Sequence, residues 1–209
     1  MIALVERLWS EFMPSLLAGM AVNFEIAGIA IALGLAFGLV LAFARMRGGM
    51  VGAAAASAIT LMRAAPTFVV MFFLLNALPK NAAISGVMTV ALSLVPYSAA
   101  FVADAGLDAL RHLRSGSALA ALQFLPNVMR AFFVLVMSSS AGAAIGVSEG
   151  ITAILHQAEQ FPALGDRLVL FAIGVVSFGV PLQLGFLLLR LVQRQLGALL
   201  APRPSPQIE

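Results

Sequence analysis

Residues 26–44 read IAGIAIALGLAFGLVLAFA, nineteen consecutive positions without a charged side chain. Wound as a helix, that run covers about 28 Å, close to the hydrocarbon thickness of a bilayer. Four further runs surround it. Gly48–Leu78 is interrupted only by Arg63, Asn81–Ala103 contains Pro96, Ser115–Ser148 carries only Arg130, and Leu168–Leu189 is uncharged. Gly48–Leu78 exceeds one crossing, so part of it is expected to lie along the interface before the chain turns inward near Ala64–Pro66. The composition agrees: 62% of the 209 residues are hydrophobic, 10% are charged, and the mean hydropathy is +1.05. Soluble domains are about half apolar and a quarter charged. The pattern predicts an all-α, polytopic membrane protein of five spans.

Other chemistry is excluded by counting. There is no cysteine, and His112 and His156 lie far apart without a metal-ligand neighbour at helical or hairpin spacing. Lys80, the one lysine, is followed by Asn81, so no phosphate-cradling G-x-x-x-x-G-K-[ST] loop exists. The chain is expected to need no cofactor and to bind no ATP by itself. A net charge of +3 and a pI near 10.6 come from basic residues scattered over several loops, which is a membrane-orientation pattern rather than a nucleic-acid surface. No acid–base or nucleophile constellation stands out, so an enzyme is not expected. The longest loops are about fifteen to twenty residues, short of an independent core. One transmembrane domain, 1–209, is therefore predicted.

At the start, Met1–Phe24 mixes Trp9, Phe12 and Leu16 with Glu6, Arg7 and Glu11, an amphipathic segment expected on the membrane surface. It lacks the basic n-region and cleavage site of a secretory signal. The tail 201–209, with prolines at 202, 204 and 206, reads as disordered. Arg45, Arg47, Arg111, Arg114, Arg190, Arg194 and Arg203 collect on one side, against Arg7, Lys80 and Arg167 on the other. Glu6, Glu11, Glu149, Glu159 and Asp166 fall on that second side. The positive-inside rule then places the N-terminus outside and the C-terminus in the cytoplasm.

Within the spans, Arg63 and Arg130 are the costly residues. Each either snorkels to an interface or serves a function. Glu25, beside Asn23, reads as an interfacial carboxylate. Pro66, Pro96, Pro126 and Pro181 fall in or beside spans, and broken helices of that kind often line transport paths. The small residues of Ser138-Ser139-Ser140-Ala141-Gly142 and of Gly34-x-x-x-Gly38 suit close helix packing; a pathway lined by hydroxyls is the other reading.

Taken in order, these features resemble the membrane subunit of a bacterial ABC importer, type I, of the polar amino-acid and opine permease family. An outer-face G-x-x-x-T-L-like stretch is matched by Leu17–Phe24, and a glycine-rich first span by Gly34, Gly38, Ala42 and Arg45. The family's R-G-T-P, phenylalanine-rich helix and G-L-P are matched by Arg63-Ala64-Ala65-Pro66-Thr67, by Phe68–Phe73, and by Asn76–Pro79. Its tyrosine in span three is matched by Tyr97. Its [I/L]-P…S-x-x-x-x-I-G-V-x-E segment is matched by Leu125-Pro126, Ser140 and Ile145-Gly146-Val147-Ser148-Glu149.

The departures are specific. Ala100 and Ala103 stand where the family carries a glutamate and an arginine, and Met137-Ser138-Ser139 replaces a K-[DN]-[ST] triplet. No E-A-A-x-x-x-G pattern, the family's ATPase-docking helix, occurs in Leu107–Gln123, which is short of it by roughly four to five helical turns. The resemblance implies a permease subunit for polar amino acids or related small solutes in the bacterial inner membrane, working by alternating access. It implies a cytoplasmic ABC ATPase, a second permease subunit and an extracytoplasmic solute-binding protein as partners. Arg111, His112 and Arg114 become the candidates for ATPase contact, and Arg63, Pro66, Arg130, Ser138 and Ser139 for the pathway. A permease-derived scaffold or regulator without transport is the alternative that the missing docking helix raises.

Overall fold

The computed structural model describes residues 8–77 and 84–200. Leu8–Phe12 form one π-helical turn that runs into α1, Met13–Met46. α2 (Gly49–Ala64) and α3 (Thr67–Ala77) follow, and the chain bends by 93° between them. α4 spans Gly86–Arg114, α5 is the short turn Ala118–Ala121, and α6 is Phe124–Ser138. A 3-10 stretch, Ser139–Ile145, leads to α7 (Gly150–Glu159), and α8 (Leu164–Leu200) closes the chain. No strand occurs among the described residues. Among the described residues four helical stretches are long and apolar enough to cross a membrane, or five if the bent α2–α3 pair is one span. The protein is a multi-pass, all-α membrane protein.

α1 and α4 form the seam on which the rest is built. Gly34, Gly38 and Ala42 recur every fourth position on α1, and all are buried. A Cβ at Gly38 would meet Ala99 O at 2.7 Å and Val102 Cβ at 2.7 Å, so the absence of a side chain is what lets α4 lie this close. Across the same contact Ser98 Oγ donates to Ala30 O at 2.8 Å. Gly34-x-x-x-Gly38 is thus a packing face. The turn from α1 to α2 uses Gly48 and Gly49, both with positive φ (68° and 57°), a backbone that side chains disfavour.

Two expectations need correction. The N-terminal segment is no surface-lying helix over its described part: Phe12, Leu16, Met20 and Asn23 are buried, spaced by three or four on one face, and continuous with the first span. That face is covered because the N-terminus of α7 packs against Gly19, while Trp9 and Leu17 stay exposed on the other side. Second, Arg111, His112 and Arg114 do not occupy a polar loop. α4 continues eleven residues past Ala103, so they form its last turn. The Ser115–Ser148 run holds a candidate span, Ala118–Ile145, built of α5, α6 and the 3-10 stretch in succession. Arg7, Lys80, Pro79 and the tail 201–209 lie outside the described residues.

Candidate functional site: two polar centres in an apolar bundle

The first centre joins the beginning of α1 to the beginning of α7. Asn23, Ser139 and Glu149 are all buried. The Asn23 side-chain amide donates to Ser139 Oγ at 2.8 Å and to Glu149 Oε2 at 3.0 Å, and its oxygen accepts from the Gly150 backbone N–H at 2.9 Å. Glu149 caps α7, accepting the N–H groups of Ile151 and Thr152 at 2.9 Å each, and the Thr152 hydroxyl at 3.1 Å. The first three N–H groups of α7, which no helix can satisfy internally, are therefore all taken by side chains. In a bilayer, where water cannot substitute, irregular backbone is tolerated only with such partners. Gly146 (φ 79°) ends the 3-10 stretch and aims the chain into this cap. Shape reinforces chemistry: a Cβ at Gly19 would lie 2.6 Å from the Glu149 carbonyl carbon and 2.7 Å from Gly150 N. With every donor and acceptor engaged, the centre is a lock between segments. Ser139 belongs to it, away from Arg63 and Arg130; Ser138, half-buried, ends α6 beside it.

The second centre lies between α4, α6 and the α2–α3 bend. Asp104 accepts from Arg45 at 2.9 Å and pairs as well with Arg63, which sits in the last turn of α2, two residues before the exposed break at Ala65–Pro66. One carboxylate thus ties the bend to both α1 and α4. Beside it a cavity of about 380 Å³ is lined by Arg63, Tyr97, Asp104, Asp108 and Asn127 with small and aromatic α4 residues. Asp108 also pairs with Arg111 at 3.6 Å. Asp104 and Asn127 were not singled out in the sequence. The signal for Asp104 was its position: it lies one helical turn after Ala100, on the α4 face where the resemblance expects an acid.

Arg130 stands one turn beyond Asn127 on the exposed side of α6. Its depth follows from the packing. Phe124, at the start of α6, meets the site of Gly106 alongside Leu39 and Ala42 of α1, while Ser139, at the other end, bonds to Asn23. Arg130 is six residues from Phe124 and nine from Ser139, so its level matches α1 near position 34, within a few ångströms of the middle of Ile26–Ala44. Either end of that apolar segment is then about 14 Å away. Among the described residues Arg130 has no hydrogen-bond or ion partner. The neighbouring face of α6 is occupied by α8, with Phe133 packed edge-on against Phe186 at 4.4 Å.

No family model matches the sequence, and no curated protein matches it. A solved structure does: a chain of the crystal structure of an amino acid ABC transporter with histidines superposes with a TM-score of 0.66. The match covers 88% of this chain and 95% of that one, at 18% sequence identity. This chain shares the fold of that transporter chain. At that identity the likeness carries the architecture, and the roles of individual side chains rest on the geometry above.

Within this fold, Arg63 reaches the cavity directly, Arg130 extends its polar stripe on α6, and Pro66 makes the break that brings Arg63 there. Arg111 and Arg114 line a separate recess of about 400 Å³ with Arg45, Met46, Leu107 and Ser115, at the end of the bundle where α4 turns into α5. His112 is exposed on the same turn.

Proposed function

We propose that this protein is a transmembrane permease subunit of an ATP-driven importer for polar amino acids or related small solutes. It sits in a bacterial inner membrane with its N-terminus outside and its C-terminus in the cytoplasm. The observation that carries the reading is Arg130, an unpaired guanidinium on an outer face at mid-membrane depth. Facing lipid there costs several kcal/mol (about 2.5–3.5 on insertion scales). A second permease subunit across a hydrated pathway removes that cost, and the cavity with Tyr97, Asn127, Asp104 and Arg63 continues the same surface. Solute passes between the two subunits as they alternate between inward- and outward-facing states. Arg63 and Arg130 supply the field along that path, and the break at Pro66 shapes its wall. A soluble binding protein delivers solute outside, and a separate cytoplasmic subunit hydrolyses ATP. Arg111, His112 and Arg114 provide the contact with it.

One observation favours a second reading, a non-transporting scaffold or regulator derived from a permease. α4 and α6 are joined only by Ser115–Ser117, the four-residue α5 and two turn residues, which leaves little to dock into an ATPase. Affinity purification from the protein's own membranes in mild detergent separates the two. Recovery with an ATPase dimer and a second permease supports the importer; recovery without any nucleotide-binding partner sinks it.

A further inference from the structure

The longest helix, α8, carries a feature that the proposed pathway does not use. One of its faces forms an open trough of about 650 Å³ from Val175 to Arg190, floored at Gly179, where an added Cβ would meet nothing within 4 Å. Short of Arg190 its walls are valines, leucines and Phe186, with Gln183 the polar residue among them. The stretch is about 22 Å long, more than the roughly 15 Å of hydrocarbon in one leaflet. At its end the trough meets a second recess, of about 490 Å³, between α8 and the α5 turn, and Arg190 lines both. Arg194, one turn on, adds a second guanidinium, with Gln123 and Gln193 on the rim. Gln193 donates to Leu122 O at 3.2 Å, which fixes the recess against the turn between α5 and α6. Among the described residues neither arginine has an acidic partner.

We infer that this combined groove binds an anionic phospholipid, its phosphate held by Arg190 and Arg194 and one acyl chain laid along the α8 trough. Two basic residues at the membrane-surface end of an apolar furrow suit that ligand: the guanidiniums take phosphate oxygens as charge-assisted, geometrically matched acceptors, while the furrow takes hydrocarbon. Charge complementarity argues against a second copy of this chain as the occupant. The acids described at this end of the bundle are Asp104 and Asp108, and both already pair with arginines, Asp104 with Arg45 and Arg63 and Asp108 with Arg111.

The test uses the full chain, purified in mild detergent, stripped of lipid and titrated with phosphatidylglycerol or phosphatidylcholine while native mass spectrometry counts bound lipids. Wild-type protein should retain phosphatidylglycerol at least tenfold more tightly than phosphatidylcholine. Arg190→Gln with Arg194→Gln should abolish that preference, whereas Arg47→Gln with Arg114→Gln, which removes the same charge from the same end of the bundle, should leave it. Equal retention of the two lipids, or equal loss in both double variants, overturns the proposal. A second measurement exploits the absence of cysteine. Val176→Cys should stay monomeric under oxidation in phosphatidylglycerol vesicles, and efficient disulfide dimer formation would show that a protein helix covers the trough instead. Both measurements read lipid or contact and not uptake, so their failure leaves the transport reading untouched.

Discussion

Replacing Asn23 by leucine tests whether the buried lock holds the bundle together. Leucine has the same four side-chain heavy atoms, branched at Cγ, as asparagine, so the change removes hydrogen bonds without opening a cavity. Three bonds go: to Ser139 Oγ, to Glu149 Oε2 and from the Gly150 N–H. Ser139 keeps its bond to Val136 O at 2.7 Å, and Glu149 keeps Ile151 and Thr152. What remains uncompensated is the Gly150 N–H, an orphaned buried donor costing about 1–3 kcal/mol, and one donor to a carboxylate worth about 1.5–3 kcal/mol. Polar contacts in membrane bundles average nearer 0.6 kcal/mol, because the unfolded chain in a micelle also finds partners. The expected loss is therefore about 2–4 kcal/mol. Ser139→Ala, which removes one Asn23 contact and leaves the cap intact, should cost about 1 kcal/mol. Unfolding in mixed micelles with increasing denaturing detergent, followed by helical circular dichroism, gives both values. An Asn23→Leu protein within about 0.5 kcal/mol of wild type, or one no weaker than Ser139→Ala, would refute the lock.

Three further outcomes follow from the same geometry. Arg130→Leu should leave the isolated chain folded and as stable as wild type or more so, since up to about 3 kcal/mol of insertion cost disappears, while uptake by the assembled complex falls at least tenfold; full uptake would return Arg130 to a snorkelling role. Asp104→Asn should cost under about 1 kcal/mol, because the pair with Arg45 is about a third exposed on both sides, yet hydrogen exchange across 60–67 should quicken several-fold, and unchanged exchange would mean that the bend is held by packing alone. Gly146→Ala should lower stability by about 1–2 kcal/mol, the cost of a side chain at φ 79°; no change would show that the cap on α7 forms without that turn.

The fold was legible because bilayer physics writes it in runs. Long apolar runs, two of them broken by a single arginine, marked the four candidate spans and the bent α2–α3 pair, and the Ala65–Pro66 break fell where proline forbids helix continuation. Boundaries were harder. α4 runs on through Asp104, Asp108 and Arg111 because its polar residues pair with one another or face outward at the helix end, which hydropathy scores as loop. The N-terminal segment was misread for the opposite reason: Glu11 and Trp9 suggested a surface helix, but its buried stripe of Phe12, Leu16, Met20 and Asn23 needed a partner that only the fold supplies. The lock was half-visible. Leu17–Phe24 and Ile145–Glu149 both stood out by resemblance, yet nothing in one dimension says that Asn23 meets Glu149 across 126 residues. Ser139 was read with its serine neighbours as packing or pathway, when its hydroxyl is committed to Asn23.

The short connection between α4 and α6 bears differently on the proposed coupling once the course of α4 is taken into account. Coupling needs a physical contact whose two arrangements both sites can bias. Arg111 and Arg114 lie on the same unbroken stretch of α4 as Asp108, Asp104 and Tyr97, with Pro96 only beyond them. From Arg111 to Asp104 is seven residues, about 10 Å of helix. A tilt imposed on the last turn is therefore delivered directly to the carboxylate that holds Arg63 and the α2–α3 bend, and to the cavity wall one turn further. In this arrangement a docking helix would add contact area and affinity, while the transmission itself needs only α4 and Asp104. The two readings of the chain then differ in an observable way. For a subunit that still couples, Asp104→Asn should uncouple ATP hydrolysis from uptake while leaving the ATPase bound, since the contact turn is untouched. A scaffold should tolerate the same change with no effect on any partner's activity, and an Asp104→Asn complex that transports normally would remove α4 as the transmitting element.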